Sequence, residues 1–192
     1  TILIRKNSSN FGLVKGVLTG IDWVFESEAR VIILEEDLAP DPAFFDFCDR
    51  ALEVYENHSN VLSISGNNFN SETSDSIQVS NYPLIWGWAT WRSKWNSSRK
   101  HLEPQNVLSL WIRKFSPVAG FWNAGLIRIR LGVLQSWALP FATYSKRNRL
   151  VNIMPPTNLV INNGFDQYAT HTFDAPTFQE YTKRELPNQI LF

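Results

Sequence analysis

The sequence predicts an α/β fold with a mostly parallel central sheet, and three observations carry that prediction. Val31-Ile32-Ile33-Leu34 is a short apolar run without polar alternation, the pattern of a strand buried on both faces. Residues 42–55 then repeat at helical spacing, with Phe44, Cys48, Ala51 and Tyr55 on one face. Val61-Leu62-Ser63-Ile64 follows as a second apolar run. A strand, a helix and a strand in that order form a unit whose two strands run parallel.

The remaining elements are read in chain order. Residues 1–5 are a short apolar stretch expected to be the end of a strand, and 7–12 a polar turn. Val14, Val17, Leu18, Ile21 and Val24 predict a helix over residues 13–25 that packs on the sheet. Asp41 is placed to cap the next helix, and Pro42 suits its first turn. Residues 70–80 are polar and read as a surface loop. Helices are expected from Pro104, over 121–134 and over 136–148, and short strands at 150–154 and 158–162.

At 192 residues the chain suits one domain with a sizeable core, or one domain and a small appendage. Its 18 basic and 18 acidic residues balance, which argues against a nucleic-acid or membrane-surface footprint. Cys48 is the only cysteine, so no internal disulfide forms and no zinc signature exists. No apolar stretch approaches the roughly 20 residues of a membrane span. The opening residues lack a signal-peptide layout, and a cytoplasmic location is the expectation.

Chemistry is sought where polar clusters follow apolar runs. Glu35-Glu36-Asp37 leaves the first strand, Asn67-Asn68 leaves the second, and residues 162–171 follow the last. In open α/β sheets the ligand crevice lies outside the carboxyl ends of the strands. Three adjacent carboxylates are unfavourable unless they are solvated or a cation sits among them. Hard divalent ions carrying substrate phosphates are held by one or two such groups. A metal-binding edge and a solvated acidic turn therefore stand level.

Asp37, furthest out of the strand, is the preferred metal ligand; Glu36 contacts the metal through water or holds a ribose or sugar, and Glu35 supports its neighbours or fixes the backbone, the alternative for each being an exposed surface acid. Asn67 and Asn68 suit sugar hydroxyls, although composition alone favours turn formation. Trp86, Gly87 and Trp88 present two indoles with no bulk between them, as a sugar platform or as core. His171 reads as a metal or phosphate contact, or as a structural histidine.

Several segments fall in an order that resembles a known family. They are Asn10-Phe11-Gly12, residues 20–25 (GIDWVF), residues 32–45 (IILEEDLAPDPAFF), Ser65-Gly66-Asn67-Asn68-Phe69, residues 86–91 (WGWATW), and residues 158–165 with 169–172. Together they resemble bacterial GT-A glycosyltransferases of the hemolysin-related sugar-transferase type, distant relatives of the N-acetylglucosaminyltransferase I group. The likeness spans residues 5–172. It implies a GT-A-like three-layer α/β/α sandwich over residues 1–172, with 173–192 as a C-terminal tail. It also implies a nucleotide-diphosphate sugar donor, a saccharide or glycan acceptor, and a Mn²⁺ or Mg²⁺ ion bridging the diphosphate.

On that resemblance the last acid of the family's Glu-Asp-Asp pattern binds the metal and falls on Asp37, with Glu36 in place of the middle Asp. His171 joins it, and Asn10, Gly12, Glu35, Glu36, Asn67, Asn68, Trp86, Gly87 and Trp88 lie on the donor or sugar side. Two departures stand out. The family's first strand and nucleotide-binding loop would precede Thr1, so the chain is expected to be shortened there. Relatives carry a Trp-Asp pair whose Asp is the candidate base, where this sequence has Trp137-Ala138. Alanine cannot accept a proton, and Asp166 is the substitute by position. The rival expectation is a non-catalytic saccharide-binding or scaffold remnant of such a domain.

Overall fold

The computed structural model describes residues 1–69, 76–113 and 116–164. Helix α1 spans Gly12–Ser27 and leads into strand β1, Arg30–Ile33. A short strand β2 (Leu38–Pro40) precedes helix α2 (Pro42–Val54) and strand β3 (Val61–Ser65). Strands β4 (Gln78–Ser80) and β5 (Trp88–Trp91) follow, then helix α3 (Arg92–Arg99) and a 3₁₀ turn at Val107–Leu110. Helices α4 (Pro117–Arg130) and α5 (Ala138–Arg147) lead to β6 (Val151–Met154) and β7 (Val160–Asn162). The protein is a mixed α/β structure.

Helix α2 forms where its sequence demands. The Asp41 carboxylate accepts from the Ala43 N–H at 2.9 Å, and Pro42 fills the first helical position, where its missing N–H costs nothing. Phe44, Phe47, Cys48, Ala51 and Leu52 form its buried stripe. Helix α4 begins earlier than its apolar pattern suggests, because Ser116 caps it through the Ala119 N–H and Pro117 starts its first turn.

The main sheet has the order β1-β5-β3-β6-β4. Only β3–β6 is parallel, while β1–β5, β3–β5 and β4–β6 are antiparallel. The mostly parallel sheet expected from the sequence is therefore corrected to a mixed one. The cause is β5, which inserts between β1 and β3 and runs antiparallel to both. The strand–helix–strand unit survives in direction, since β1 and β3 both oppose β5 and so point the same way.

Helices cover both faces of this sheet. Alpha-2 packs with Val61, Ile64, Ala89, Trp91 and Ile153 on one side. Helices α1, α3 and α5 bring Leu18, Phe25, Trp95 and Phe141 to Val31, Leu62 and Trp88 on the other. A bulge between Val61 and Ser63 explains how Leu62 and Ile64 reach opposite faces despite being two residues apart. The Ser63 hydroxyl donates to Asn152 Oδ1 on the neighbouring β6 at 2.7 Å, and Asn152 Nδ2 in turn donates to the Ser145 hydroxyl on α5 at 3.3 Å.

Other expectations change as well. Residues 1–5 form no strand: Ile2, Leu3 and Ile4 are exposed, and Arg5 donates to the Thr19 carbonyl on α1. Part of the polar loop forms β4, an edge strand on β6. The helix expected from Pro104 is only the 3₁₀ turn. Beta-2 and β7 make a separate antiparallel pair, with Leu38 opposite Asn162 and Pro40 opposite Val160. No helix among the described residues is long and apolar enough to cross a membrane.

Candidate functional site

The carboxyl ends of β1, β3 and β6 share one edge of the sheet, and the polar segments of interest leave from it. At the end of β1 the chain turns back at once: the Leu38 N–H donates to the Glu35 carbonyl at 3.2 Å. This tight turn holds Glu35, Glu36 and Asp37 together. Glu36 is exposed, while Glu35 and Asp37 are half-buried. Burial, followed by the negative charges of Asp37 and Glu36, pushes the Glu35 carboxyl above its ordinary range. The ion pairs formed among the described residues, Arg99 with Asp22 and with Glu103, do not involve this turn.

A strand from far along the chain closes the turn. The Asn163 N–H donates to the Asp37 carbonyl at 2.8 Å, continuing the β2–β7 pairing. Gly164 follows against the Asp37 side chain. A Cβ there would fall 2.1 Å from Asp37 Oδ2 and 3.0 Å from Asn162 Oδ1, so a larger residue would have to displace the Asp37 carboxylate from this position. Asn162 Oδ1 also accepts the Gly164 N–H at 2.7 Å. Two hard oxygen donors, a carboxylate and an amide, thus converge over one glycine. Sequence reasoning reached Asp37 but not Asn162 or Gly164, whose meaning depends on a pairing that spans more than a hundred residues.

Beneath the turn, glycines let several elements close together. Gly66 donates to the Gly87 carbonyl at 2.7 Å, and Leu159 donates to the Gly66 carbonyl at 2.9 Å. A Cβ on Gly66 would lie 2.6 Å from Phe44, and one on Gly87 would lie 2.8 Å from Val160. Gly87 therefore belongs to the packing that supports the site rather than to a sugar platform.

The two asparagines are likewise corrected. Asn67 is fully buried and Asn68 nearly so. Asn67 Nδ2 donates to Asn158 Oδ1 at 3.2 Å, which also accepts the Asn68 N–H at 3.2 Å. Asn68 Nδ2 bonds the carbonyls of Pro155 and Pro156. These amides tie the exit of β3 to the segment before β7, and they are buried in that junction rather than exposed. Asn158, overlooked as a functional position, is the hub of that knot.

Trp88 is also a core residue. It lies in the middle of the sheet, 1 % exposed, with its ring 5.7 Å from Trp137 and 5.1 Å from Phe141. Trp86 differs: it is half-buried and meets Phe69 edge-on at 5.4 Å, so part of its ring stays accessible. Asn10 Oδ1 accepts the Gly12 N–H at 2.7 Å, and Gly12 has a φ of +69°, so the two shape the entry to α1. Gly12 lines a cavity of about 600 Å³ with Lys15, Arg99 and Arg130. Glu35 and Glu36 instead line a separate hollow of about 400 Å³ with Gly16, Gly20, Leu34 and Trp137. Asp166 and His171 lie outside the described residues.

No protein-family model matches the chain, and no curated protein matches it either. Among the described residues no group of three or more His, Cys, Asp or Glu side chains is arranged to hold a metal ion. Chemical capacity is therefore judged from the turn itself. Asp37 and Glu36 offer carboxylate oxygens and Asn162 an amide oxygen, and the hollow lined by Glu35 and Glu36 lies beside the Glu36 end of the turn.

Proposed function

We propose that this chain is a metal-dependent glycosyltransferase domain of the GT-A type, moving a sugar from a nucleotide-diphosphate sugar to a saccharide or glycan acceptor. The observation that carries the reading is the acidic turn at the carboxyl edge of the sheet, with Asp37 pressed against Asn162 and Gly164. That is where an α/β sheet of this kind presents its ligands. The helical cover on both sheet faces and the ordered sequence likeness support it further.

The residues fit Mn²⁺ or Mg²⁺. Such ions prefer hard oxygen ligands, and Mg²⁺ typically takes one or two carboxylates plus substrate phosphates rather than a complete protein cage. Asp37 would hold the ion, with Asn162 Oδ1 beside it and Glu36 reaching through water. When bound, the ion supplies charge neutralisation for the departing nucleoside diphosphate. Glu35, held partly out of water, keeps the turn closed through its carbonyl bond to Leu38. Trp86 offers the accessible part of its ring to the apolar face of a pyranose.

One observation favours a second reading, a saccharide-binding domain without turnover. Helix α5 begins at Ala138, directly after buried Trp137, where a carboxylate would serve as base. Asp166 is the remaining candidate for that proton. Calorimetry with nucleotide sugars tests the first reading. Binding should require Mn²⁺ and weaken about tenfold or more in Asp37→Ala, a loss of roughly 1.4 kcal/mol at least. Metal-independent binding, or equal affinity in the variant, would remove the assigned role of Asp37. Donor hydrolysis or transfer by the chain separates the enzyme from the binding domain.

A further inference from the structure

Although the chain is neutral overall, its charges are segregated. Residues 104–150 carry seven Lys and Arg and no Asp or Glu, so the balance read from composition conceals a strongly basic segment. That segment comprises the 3₁₀ turn, α4 and α5, gathered around a small core of Val107, Leu110, Leu126 and Ile129. Asn123 fixes the inner face of α4, accepting the Ile112 N–H and donating to the Ile112 carbonyl, both at 2.9 Å. Ala119, Asn123, Leu126 and Ile129 are thereby satisfied inside.

The outer face of α4 is apolar. Phe121, Ala124, Arg128 and Leu131 follow one another along it at helical spacing, with Val118 and Ile127 on its flanks. Phe121 is 70 % and Leu131 71 % exposed, and Val133, two residues beyond Leu131, is exposed as well. Among the described residues, no carboxylate pairs with Arg113, Arg128, Arg130 or Arg149. Exposed Phe121 and Ile127, with Leu131 at the C-cap, thus share α4 with Arg128 and Arg130, an apolar surface and cationic groups that an anionic lipid interface engages together.

We infer that this face docks on an anionic lipid bilayer, with Phe121 and Leu131 entering the headgroup boundary and Arg128 and Arg130 of the same helix meeting lipid phosphates. Charge decides the occupant. A neutral protein partner would use the apolar patch but leave the arginines unmatched, whereas an anionic surface engages both. Each basic residue near such a surface adds electrostatic attraction, and that share fades with salt. The inference does not depend on the acidic turn, which belongs to another part of the chain.

Vesicle co-sedimentation of the full chain tests it. The chain should pellet with phosphatidylcholine vesicles containing about one third phosphatidylglycerol, and far less with pure phosphatidylcholine. Raising salt to about 0.5 M should weaken the partition. The double variant Phe121→Asp/Leu131→Asp should lose roughly tenfold or more of it while keeping its melting temperature, since both side chains are exposed. Arg128→Glu should lose a smaller share. Failure to pellet with anionic vesicles would overturn the inference, as would pelleting that the double variant leaves unchanged. A concentration-dependent dimer broken by Phe121→Asp, without vesicle binding, would assign the face to a second copy instead.

Discussion

Replacing Gly87 by alanine should destabilise the fold by about 2–4 kcal/mol, the sum of a backbone and a packing cost. Gly87 has a φ of +68°, where a Cβ carries a penalty of about 1–2 kcal/mol. Its new methyl would also meet Val160 at 2.8 Å, with Leu34 and Phe44 each at 3.3 Å. Overpacking of a tight interior costs about 1–3 kcal/mol, and restriction of the unfolded chain returns roughly 0.5 kcal/mol. Two further glycines separate these effects. Gly132 has a φ of +74° but open space around it, so Gly132→Ala should cost only about 1 kcal/mol. Gly20 lies inside α1 with ordinary φ and nothing near, so Gly20→Ala should stabilise by about 0.5–1 kcal/mol. Urea unfolding followed by tryptophan fluorescence measures all three on one scale. If Gly87→Ala and Gly132→Ala cost the same, the close seating of Val160 on Gly87 is refuted, and with it the support described beneath the acidic turn.

Two other perturbations have defined outcomes. Asn158→Ala should cost about 1–3 kcal/mol, because it removes the acceptor that the buried Asn68 N–H uses and leaves Asn67 Nδ2 only its longer bond to the Val160 carbonyl; urea midpoints read it directly. His101 is held neutral by desolvation and then by the positive charges of Lys100 and Arg147, which lower its pKa below the ordinary histidine value. A base depressed in the fold protonates first in the unfolded chain. Its stability contribution is therefore present above the ordinary histidine pKa and is lost as pH falls from about 7 toward 5. His101→Gln should flatten that part of the stability–pH curve, and an unchanged slope would show that other groups govern it.

Much of the local structure was legible in the sequence, and the failures share one origin. Helix α2 was readable because its cap, its proline and its apolar stripe all lie within a dozen residues. The acidic run was readable as the end of a strand for the same reason. What could not be read was adjacency. Nothing within Trp88-Ala89-Thr90-Trp91 says that it inserts between β1 and β3, since a strand buried on both faces has no polar side to orient it. The aromatic density around Trp86 likewise could not divide an accessible ring from one stacked on Trp137. Asn67 and Asn68 resembled ligand-facing amides because their partners, Asn158 and the two proline carbonyls, lie about ninety residues away.

The pairing of Leu38 with Asn162 has a consequence for how the protein is made. During synthesis the strand that clasps the acids of residues 35–37 is translated more than a hundred residues after them. Long-range closures of this kind form slowly, after local contacts have already settled. A nascent chain paused before residue 160 would hold the α2–β3 core and still lack an ordered acidic loop. Closure of the acidic turn is thus deferred until β7 has been made, and on the proposed metal role ribosome-arrested chains of increasing length should acquire cation affinity only after β7 has cleared the exit tunnel.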